Sequence, residues 1–156
     1  MNMVHYQNED GIDLFQGWLD RLDDRQAKVR ILRRLDLLAE GNLGNCRPCR
    51  EVMSELRIDH GPGYRINFFL HGFHLIVILG GEDKLTQGSG QNQTLALKDD
   101  YLKRVNEVAL AEPCVAHEEA TIESFRRDQA YAAEYLKAVL KDGSPEEIGL
   151  ARRRVA

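Results

Sequence analysis

Three cations occur where a β-sheet could bring them together. Arg57 and Arg65 flank the turn sequence His60-Gly-Pro-Gly63, in two stretches whose polar and apolar alternation predicts neighbouring antiparallel strands. Lys84 follows a third apolar stretch, which ends in Gly80-Gly81. Cations on one sheet face can bind phosphate oxygens and stabilise the charge that develops during attack on a phosphodiester. The pattern predicts a phosphodiester site, and RNA would supply its own 2′-hydroxyl nucleophile.

Such a reaction also needs a proton acceptor and a proton donor. His60 beside the turn and Tyr64 at the start of the next strand are the nearest candidates. The alternative is a purely structural role, since arginines on a strand face are more often solvated or ion-paired. Glu55 and Asp59 lie close enough in sequence to pair with Arg57.

The stretch Cys46-Arg-Pro-Cys49 has the spacing of a redox dithiol and of half a zinc site. A redox dithiol needs a helix start after a strand to lower the thiol pKa, whereas this stretch lies in a predicted loop before an antiparallel strand. A zinc site would need Cys114 and His117 to fold back and complete it. We therefore expect no metal and no other cofactor.

The elements that must position these residues are two helices followed by three strands. Apolar residues recur at helical spacing over 12–22, and again from Asp23 or Asp24, either of which can cap the second helix, to Gly41. Strands are predicted over 52–58, 64–70 and 73–79, with Gly80-Gly81 ending the third. The predicted fold is α+β, with two N-terminal helices packed on a small antiparallel sheet.

Residues 85–93 are predicted to form a flexible loop and 94–108 a helix, and we place a domain boundary between 111 and 112. Residues 112–156 are predicted to be helical. Asp128 and Gly143 bound one amphipathic helix, and Ser144-Pro-Glu-Glu147 is a capping box for another. The apolar positions of the amphipathic helix are Tyr131, Tyr135, Leu136 and Val139.

Composition limits the classes of function. The chain has 156 residues and a net charge of -4, which argues against a uniformly basic nucleic-acid binder. Residues 21–34 nevertheless carry six Lys or Arg against two Asp, whereas residues 107–156 carry seven against ten acidic residues. No signal sequence or membrane span is visible, and three cysteines are too few for a disulfide framework, so we expect a cytoplasmic protein.

Residues 14–106 resemble a toxin of the RelE/ParE superfamily, in the HigB-like branch of addiction-module killer proteins. The resemblance rests on Phe15-Gln-Gly-Trp18-Leu19, Arg30-Ile-Leu-Arg33-Arg-Leu35, Gly41-Asn42-Leu43-Gly44, Glu55-Leu-Arg57-Ile, Gly61-Pro-Gly-Tyr-Arg65, and Gly80-Gly81 followed by Asp83-Lys84 and Gln87. The family usually has Gly-Gly-Asp-Lys at the last of these, so Glu82 is an insertion.

The resemblance implies two helices on a small antiparallel sheet and, in the ribonuclease branch, cleavage of messenger RNA on the ribosome. It also implies that Arg57, Arg65 and Lys84 bind and polarise the scissile phosphate, whereas it gives His60 and Tyr64 no secure role. ParE-like members of the superfamily instead inhibit DNA gyrase.

The end of the chain resembles the first helices of the cognate antitoxin, the HigA-like antidote. The matching stretches are Thr121-Ile-Glu-Ser-Phe125, Asp128 to Leu136, and Leu140 to Glu147. A complete antitoxin continues into a helix-turn-helix, so the resemblance implies a toxin fused to a truncated antitoxin, without direct DNA binding.

The leading interpretation is thus an endoribonuclease silenced by its own tail, with the ribosome and messenger RNA as partners. A short connector would favour exchange of tails in a domain-swapped homodimer. The alternatives are an inactive remnant that acts as a dimerisation or binding module, and a gyrase inhibitor.

Overall fold

The computed structural model describes residues 1–44, 46–48, 53–84, 90–107 and 114–156. Within these ranges the strands and helices alternate irregularly along the chain. In order they are β1 (Asn2–Tyr6), α1 (Leu14–Asp20), α2 (Arg25–Ala39), β2 (Cys46–Pro48), β3 (Met53–Ile58), β4 (Tyr64–His71), β5 (Leu75–Asp83), α3 (Gly90–Asn106), β6 (Cys114–Ala116), α4 (His117–Arg127), α5 (Gln129–Asp142) and α6 (Pro145–Val155).

These strands form one mixed sheet in the order β2-β3-β4-β5-β1-β6, in which β1 and β5 pair in parallel and the other described pairs are antiparallel. The α+β class and the antiparallel β3-β4-β5 meander are confirmed. The expected order of helices before strands is wrong, because β1 precedes α1. That strand has five residues and pairs in the interior of the sheet, so its sequence pattern is too short to distinguish it from a loop.

Helices cover both faces of the sheet. Helices α1 and α2 lie over one face, where a core that includes Phe15, Leu35, Leu56 and Ile66 is fully buried. Helix α3 covers part of the other face, against Phe69 and Val77. We refer to these as the α1–α2 face and the α3 face. Tyr64 and Ile66 belong to the first, whereas Arg65 and Asn67 alternate onto the second.

Aspartate and serine caps begin the helices where the sequence predicts. Asp24 caps α2 by accepting from the Ala27 amide, Asp128 caps α5, and Ser144 and Glu147 form a reciprocal capping box on α6. Helix α4 lies within the stretch 112–156 that is predicted to be helical, but the sequence gives no signal for where it begins. Its first residue follows β6 directly, and no side chain caps its N-terminus.

Gly80 and Gly81 do not end the third predicted strand, because β5 continues to Asp83. A Cβ at Gly81 would collide with the six-membered ring of Trp18, so the glycine lets α1 approach the sheet. The ladder with β4 shifts between Asn67 and Phe68, where Gly80 pairs with Asn67 and the next residue on β4 pairs with Ile78. The glycines thus lie within the strand, at the point where α1 comes close to the sheet.

The predicted loop at 85–93 is wrong at its end, since Gly90–Gln93 are helical, and residues 85–89 lie outside the described residues. The predicted end of the helix at residue 108 and the predicted boundary between 111 and 112 also lie outside the described residues. Beyond them, the prediction of helix over 112–156 is wrong at its start, because Cys114–Ala116 forms β6 and pairs with β1. We call residues 1–107 the body and residues 114–156 the C-terminal segment, which adds an edge strand to the sheet before its three helices.

The C-terminal helices pack on the outer side of α2. Val29 and Leu32 of α2 lie in a buried cluster with Phe125, Tyr131, Tyr135, Val139 and Ala151. In the described part of the chain, every helix is too short or too polar to cross a membrane.

Candidate functional site

Arg57 and Arg65 lie directly opposite each other on β3 and β4, on one face of the sheet as expected, and that face is the α3 face. Both are paired with buried Glu55. Arg57 Nε and Nη2 lie 2.9 and 2.8 Å from Glu55 Oε1, and Arg65 Nη1 lies 3.5 Å from Glu55 Oε2. The carboxylate fixes the two guanidinium groups side by side, and it also offsets one of their charges. A phosphate would have to compete with Glu55 for them.

Glu82 is the second carboxyl of this polar patch, and sequence analysis treated it only as an insertion. It lies opposite Arg65 on β5 and is 7% exposed. Burial raises the pKa of Glu82, although Arg65 and Asn67 act in the opposite direction. Its Oε1 has no hydrogen-bond partner among the described residues. A buried carboxyl with a raised pKa beside an arginine can accept or donate a proton.

Lys84 follows the end of β5, at the same end of the sheet. Its amide donates to the Gly63 carbonyl at 3.0 Å, which holds it beside the β3–β4 hairpin, and its side chain is exposed. The predicted cations are thus at one end of the meander, two on the α3 face and the third beyond it.

His60 and Tyr64 are both placed away from the arginines. His60 Nε2 lies 2.8 Å from Asp24 Oδ2, so the histidine joins the hairpin to the start of α2. This contact holds the pKa of Asp24 below its usual value. Tyr64 is on the α1–α2 face and meets Trp18 edge to face at 6.1 Å. Neither side chain is positioned to exchange protons with a phosphate held by Arg57 and Arg65.

A basic groove of about 720 Å³ runs between α2, the end of β3 and α5. Its walls carry cations from both parts of the chain, and four carboxylates lie among them. The cations are Arg30, Arg33, Arg34, Arg57, Lys137 and Lys141, and the carboxylates are Asp59, Glu134, Asp142 and Glu147. An excess of cations in a cleft of this size suits a polyanion.

The C-terminal segment contributes carboxylates to this groove. Arg33 Nη1 lies 2.7 Å from Asp142 Oδ1, and Arg33 Nη2 lies 3.6 Å from Glu147 Oε1. A third pair joins Lys28 to Asp128 at 3.5 Å. Carboxylates of the segment therefore meet the basic stripe of α2, which is the stretch of excess positive charge seen in the sequence.

The apolar positions of the amphipathic helix, which we expect to form the contacts of the antitoxin-like segment, pack against α2. Tyr131, Tyr135 and Val139 lie in the buried cluster, and partly buried Leu136 packs against it. The Tyr131 ring lies 4.4 Å from Lys28 Nζ. Tyr135 donates its hydroxyl to Asp36 Oδ2 at 2.9 Å. Burial raises the pKa of both tyrosines, so both remain neutral hydrogen-bond donors.

A buried polar network beside this cluster was not predicted. His5 bonds to Asp13 and to His117, and His117 approaches Asp36, which is paired with Arg154. His5 and His117 are 112 positions apart. Only the strand pairing of β1 with β6, which no local pattern reveals, brings them together. A cavity of about 870 Å³ lies next to this network, and His117, Asp36 and Arg154 are among its lining residues.

The described residues give little support for cysteine or metal chemistry. Cys46 lies in β2, and burial raises the pKa of its thiol, which disfavours the reactive thiolate. Cys49 lies outside the described residues. Among the residues that are described, no cluster of three His, Cys, Asp or Glu side chains could hold a metal ion.

No protein-family model matches the chain. An uncharacterized protein of Haemophilus influenzae is 35% identical to it over 86 residues, which make up 55% of this chain and 87% of the relative. This similarity extends over nearly the whole relative but little more than half of the present chain. The chain therefore belongs to the same protein family as that uncharacterized Haemophilus influenzae protein.

Proposed function

We propose that the body is an endoribonuclease of the RelE/HigB type and that the C-terminal segment is an antitoxin-like restraint fused to it. The observation that carries the proposal is the pairing of Arg33 with Asp142 and Glu147 in the basic groove. The segment supplies carboxylates where an RNA backbone would supply phosphates. The partners of the released body would be messenger RNA and the ribosome, so its action would be cytoplasmic.

The restraint would act through effective concentration. Exposed ion pairs contribute only a few tenths of a kcal/mol to about 1 kcal/mol each, so they alone would not exclude RNA. The apolar contacts of Tyr135 and Val139 with α2 hold the segment in place, and covalent attachment makes its return intramolecular. RNA must therefore displace a tethered competitor.

The chemistry we propose is attack by a 2′-hydroxyl on the adjacent phosphorus. The hydroxyl proton passes to a base, the P–O5′ bond breaks, and the departing 5′-oxygen takes a proton. Arg57, Arg65 and Lys84 would bind the phosphate and stabilise its developing charge. Glu82 replaces His60 and Tyr64 as our candidate for proton transfer, because it lies opposite Arg65 with a raised pKa.

Charge removal in the full chain tests the restraint. We expect D142N/E147Q to slow growth and to cleave messenger RNA when expression is induced, and we expect R65A added to it to restore growth. The amide introduced by E147Q can still complete the capping box, so α6 should remain intact. The matched control E119Q/E146Q removes two exposed carboxylates of the same segment that do not line the groove.

Three outcomes separate the alternatives. Cleavage by D142N/E147Q but not by the control supports a restrained nuclease. DNA damage with translation initially intact would instead indicate the gyrase-inhibiting branch. Normal growth of every folded variant, including a fragment of residues 1–111 shown to be folded, would contradict both toxin assignments.

An inactive binding or assembly module is the second candidate, and the Glu55 contacts favour it. Both arginines of the predicted site are already paired, so phosphate binding has a competitor within the body itself. A chain that had lost RNA binding in this way would still keep its fold and its segment contacts, as a binding or assembly module requires. Replacement of Glu55 by Gln separates the two candidates, since it should strengthen RNA binding in a nuclease and have no effect on a module that binds no RNA.

We propose that the C-terminal segment packs on α2 of its own chain. A domain-swapped homodimer would use the same contacts between two chains. Light scattering of the full chain distinguishes the two arrangements, because a monomeric mass excludes exchange of segments.

A further inference from the structure

A continuous line of polar side chains crosses the interior and joins the body to the C-terminal segment. Asp13 Oδ2 lies 2.7 Å from His5 Nδ1, and His5 Nε2 lies 2.7 Å from His117 Nδ1. His117 Nε2 then faces Asp36 Oδ1 at 3.7 Å, which is too long for a hydrogen bond. Each of these four side chains comes from a different part of the fold: β1, the start of α1, α2 and α4.

Asp36 is held on its other side by the remaining C-terminal helices. Arg154 Nη1 of α6 and the Tyr135 hydroxyl of α5 lie 2.8 and 2.9 Å from Asp36 Oδ2. Arg154 Nη2 also lies 2.7 Å from Glu118 Oε2, beside His117 on α4. The charged and titratable groups that face the histidine pair are therefore Asp13, Asp36, Glu118, Tyr135 and Arg154.

With both imidazoles neutral, one nitrogen in the line has no hydrogen-bond partner within the part of the chain that the structure describes. Asp13 requires a proton on His5 Nδ1, which leaves His5 Nε2 as an acceptor for a proton on His117 Nδ1. His117 Nε2 then carries a lone pair that faces the Asp36 carboxylate. This nitrogen is buried, and it has no hydrogen-bond partner among the described residues.

One added proton rearranges the hydrogens along the line so that the unpaired nitrogen faces Asp36 with a hydrogen. His5 then donates from both nitrogens, to Asp13 and to His117 Nδ1. His117 becomes the other neutral tautomer and carries its proton on Nε2, so that a hydrogen instead of a lone pair faces the Asp36 carboxylate. Each nitrogen in the line then faces a group of the complementary kind, and the added charge lies between two carboxylates.

A second proton breaks the line. It would place hydrogen on both nitrogens of both rings, so that His5 Nε2 and His117 Nδ1 face each other as donors. Burial lowers the pKa of His117 to about 4, and the neighbouring charges of His5 and Arg154 act in the same direction, whereas Asp36 opposes them.

We propose that His5 and His117 form a one-proton latch that holds the C-terminal segment to the body. The segment is bound most firmly when the two rings share one proton, and it loosens when both rings are charged. The regulatory consequence would be that acid releases the segment from the basic groove, and this consequence rests on the proposed function. The latch itself does not, and its tests detect protons and segment opening whether or not the body cleaves RNA.

Nitrogen NMR of the histidine rings in the full chain tests the proton count directly. Between pH 8 and pH 4 we expect His5 and His117 to take up one proton together before the second. In that state His117 Nε2 should be protonated and His117 Nδ1 bare. Uptake of the two protons independently of each other, or a bare His117 Nε2 throughout, would overturn the proposal.

Removal of the Asp13 charge provides a second test. D13N keeps a residue that caps α1, but it lacks the carboxylate that favours the shared proton. We expect uptake of that proton to move to lower pH. D24N is the matched control, because Asp24 also caps a helix and bonds a histidine, His60. If the pH at which His5 and His117 take up their shared proton moves no further in D13N than in D24N, the latch is contradicted.

Hydrogen exchange measures the opening of the segment. After correction for intrinsic exchange rates, we expect amides of α4 to open at least about tenfold more often at pH 4 than at pH 6 in the wild-type chain, which corresponds to about 1.4 kcal/mol. Amides of the central strand β4 should change less. Equal changes in α4 and β4, or none in α4, would show that the histidine pair does not govern the attachment.

Discussion

Arg65 on β4 and Glu82 on β5 are directly opposite each other across the sheet. The pair places a buried carboxyl beside one of the two arginines that Glu55 holds together. A carboxyl that is both buried and next to a cation is subject to opposing effects, and here burial is the larger. The protonation state of Glu82 therefore links the stability of the sheet to the chemistry we propose for it.

The first prediction concerns Glu82. Its raised pKa means that the folded state binds a proton more strongly than the unfolded state, so its contribution to stability falls as the pH rises through and above its usual value. We expect E82Q to be at least as stable as wild type at pH 7, with the advantage lost near pH 4. Thermal unfolding at both values measures this.

The same substitution should abolish RNA cleavage if Glu82 transfers a proton. E123Q, which changes an exposed carboxylate on α4 that pairs only weakly with Arg126, is the control for both readouts. A loss of stability at pH 7 in E82Q would show that the carboxylate is stabilising as an ion pair, contrary to its raised pKa.

The second prediction concerns the two glycines of β5. A Cβ at Gly81 would collide with the Trp18 ring, whereas a Cβ at Gly80 would meet nothing within 4 Å. We expect G81A to lower the free energy of unfolding by about 1–3 kcal/mol, as overpacking commonly does. G80A should change it by less than about 0.5 kcal/mol or stabilise the strand slightly. Urea denaturation gives both values, and equal effects would contradict the close packing of α1 on the sheet.

These glycines also show how far the sequence predicts the fold. Local patterns predicted α1, α2, α5, α6 and the β3-β4-β5 meander, because each has a cap, a turn or a clear period. A glycine pair looks the same whether it ends a strand or accommodates a tryptophan from another element. Only the tertiary contact with Trp18 decides which.

The site was predicted to a similar extent. Alternation along β3 and β4 correctly put Arg57 and Arg65 on one face, since that depends only on strand period and register. The pairing of Arg57 with Glu55 was available only as an alternative to a phosphate site. The contact of His5 with His117 could not be predicted, because it depends on β1 and β6 meeting in the sheet. Short strands far apart in sequence leave no local signal of that contact.

The third prediction compares two buried tyrosines of α5. The Tyr135 hydroxyl donates to Asp36 and accepts from Arg154 at 3.0 Å, whereas the Tyr131 hydroxyl makes a long 3.4 Å contact with the Lys28 carbonyl. Y135F leaves charged groups short of a partner, so we expect it to cost about 1–3 kcal/mol. Y131F should cost less than about 1 kcal/mol. Similar costs, measured by chemical denaturation, would show that the Asp36 network does not stabilise the segment.

The last prediction is the acid sensitivity of the fold. His117 has a pKa of about 4 in the folded chain and about 6.5 when exposed, so the unfolded state takes up its proton first as the pH falls. Stability from this group is complete above pH 6.5 and declines as the pH falls to about 4, by an amount on the order of 3 kcal/mol. Urea unfolding at intervals between pH 7 and pH 4 measures this slope. H117Q should flatten it, whereas H74Q, at an exposed turn, should leave it unchanged. An equal slope in wild type and H117Q would assign the acid sensitivity to other groups.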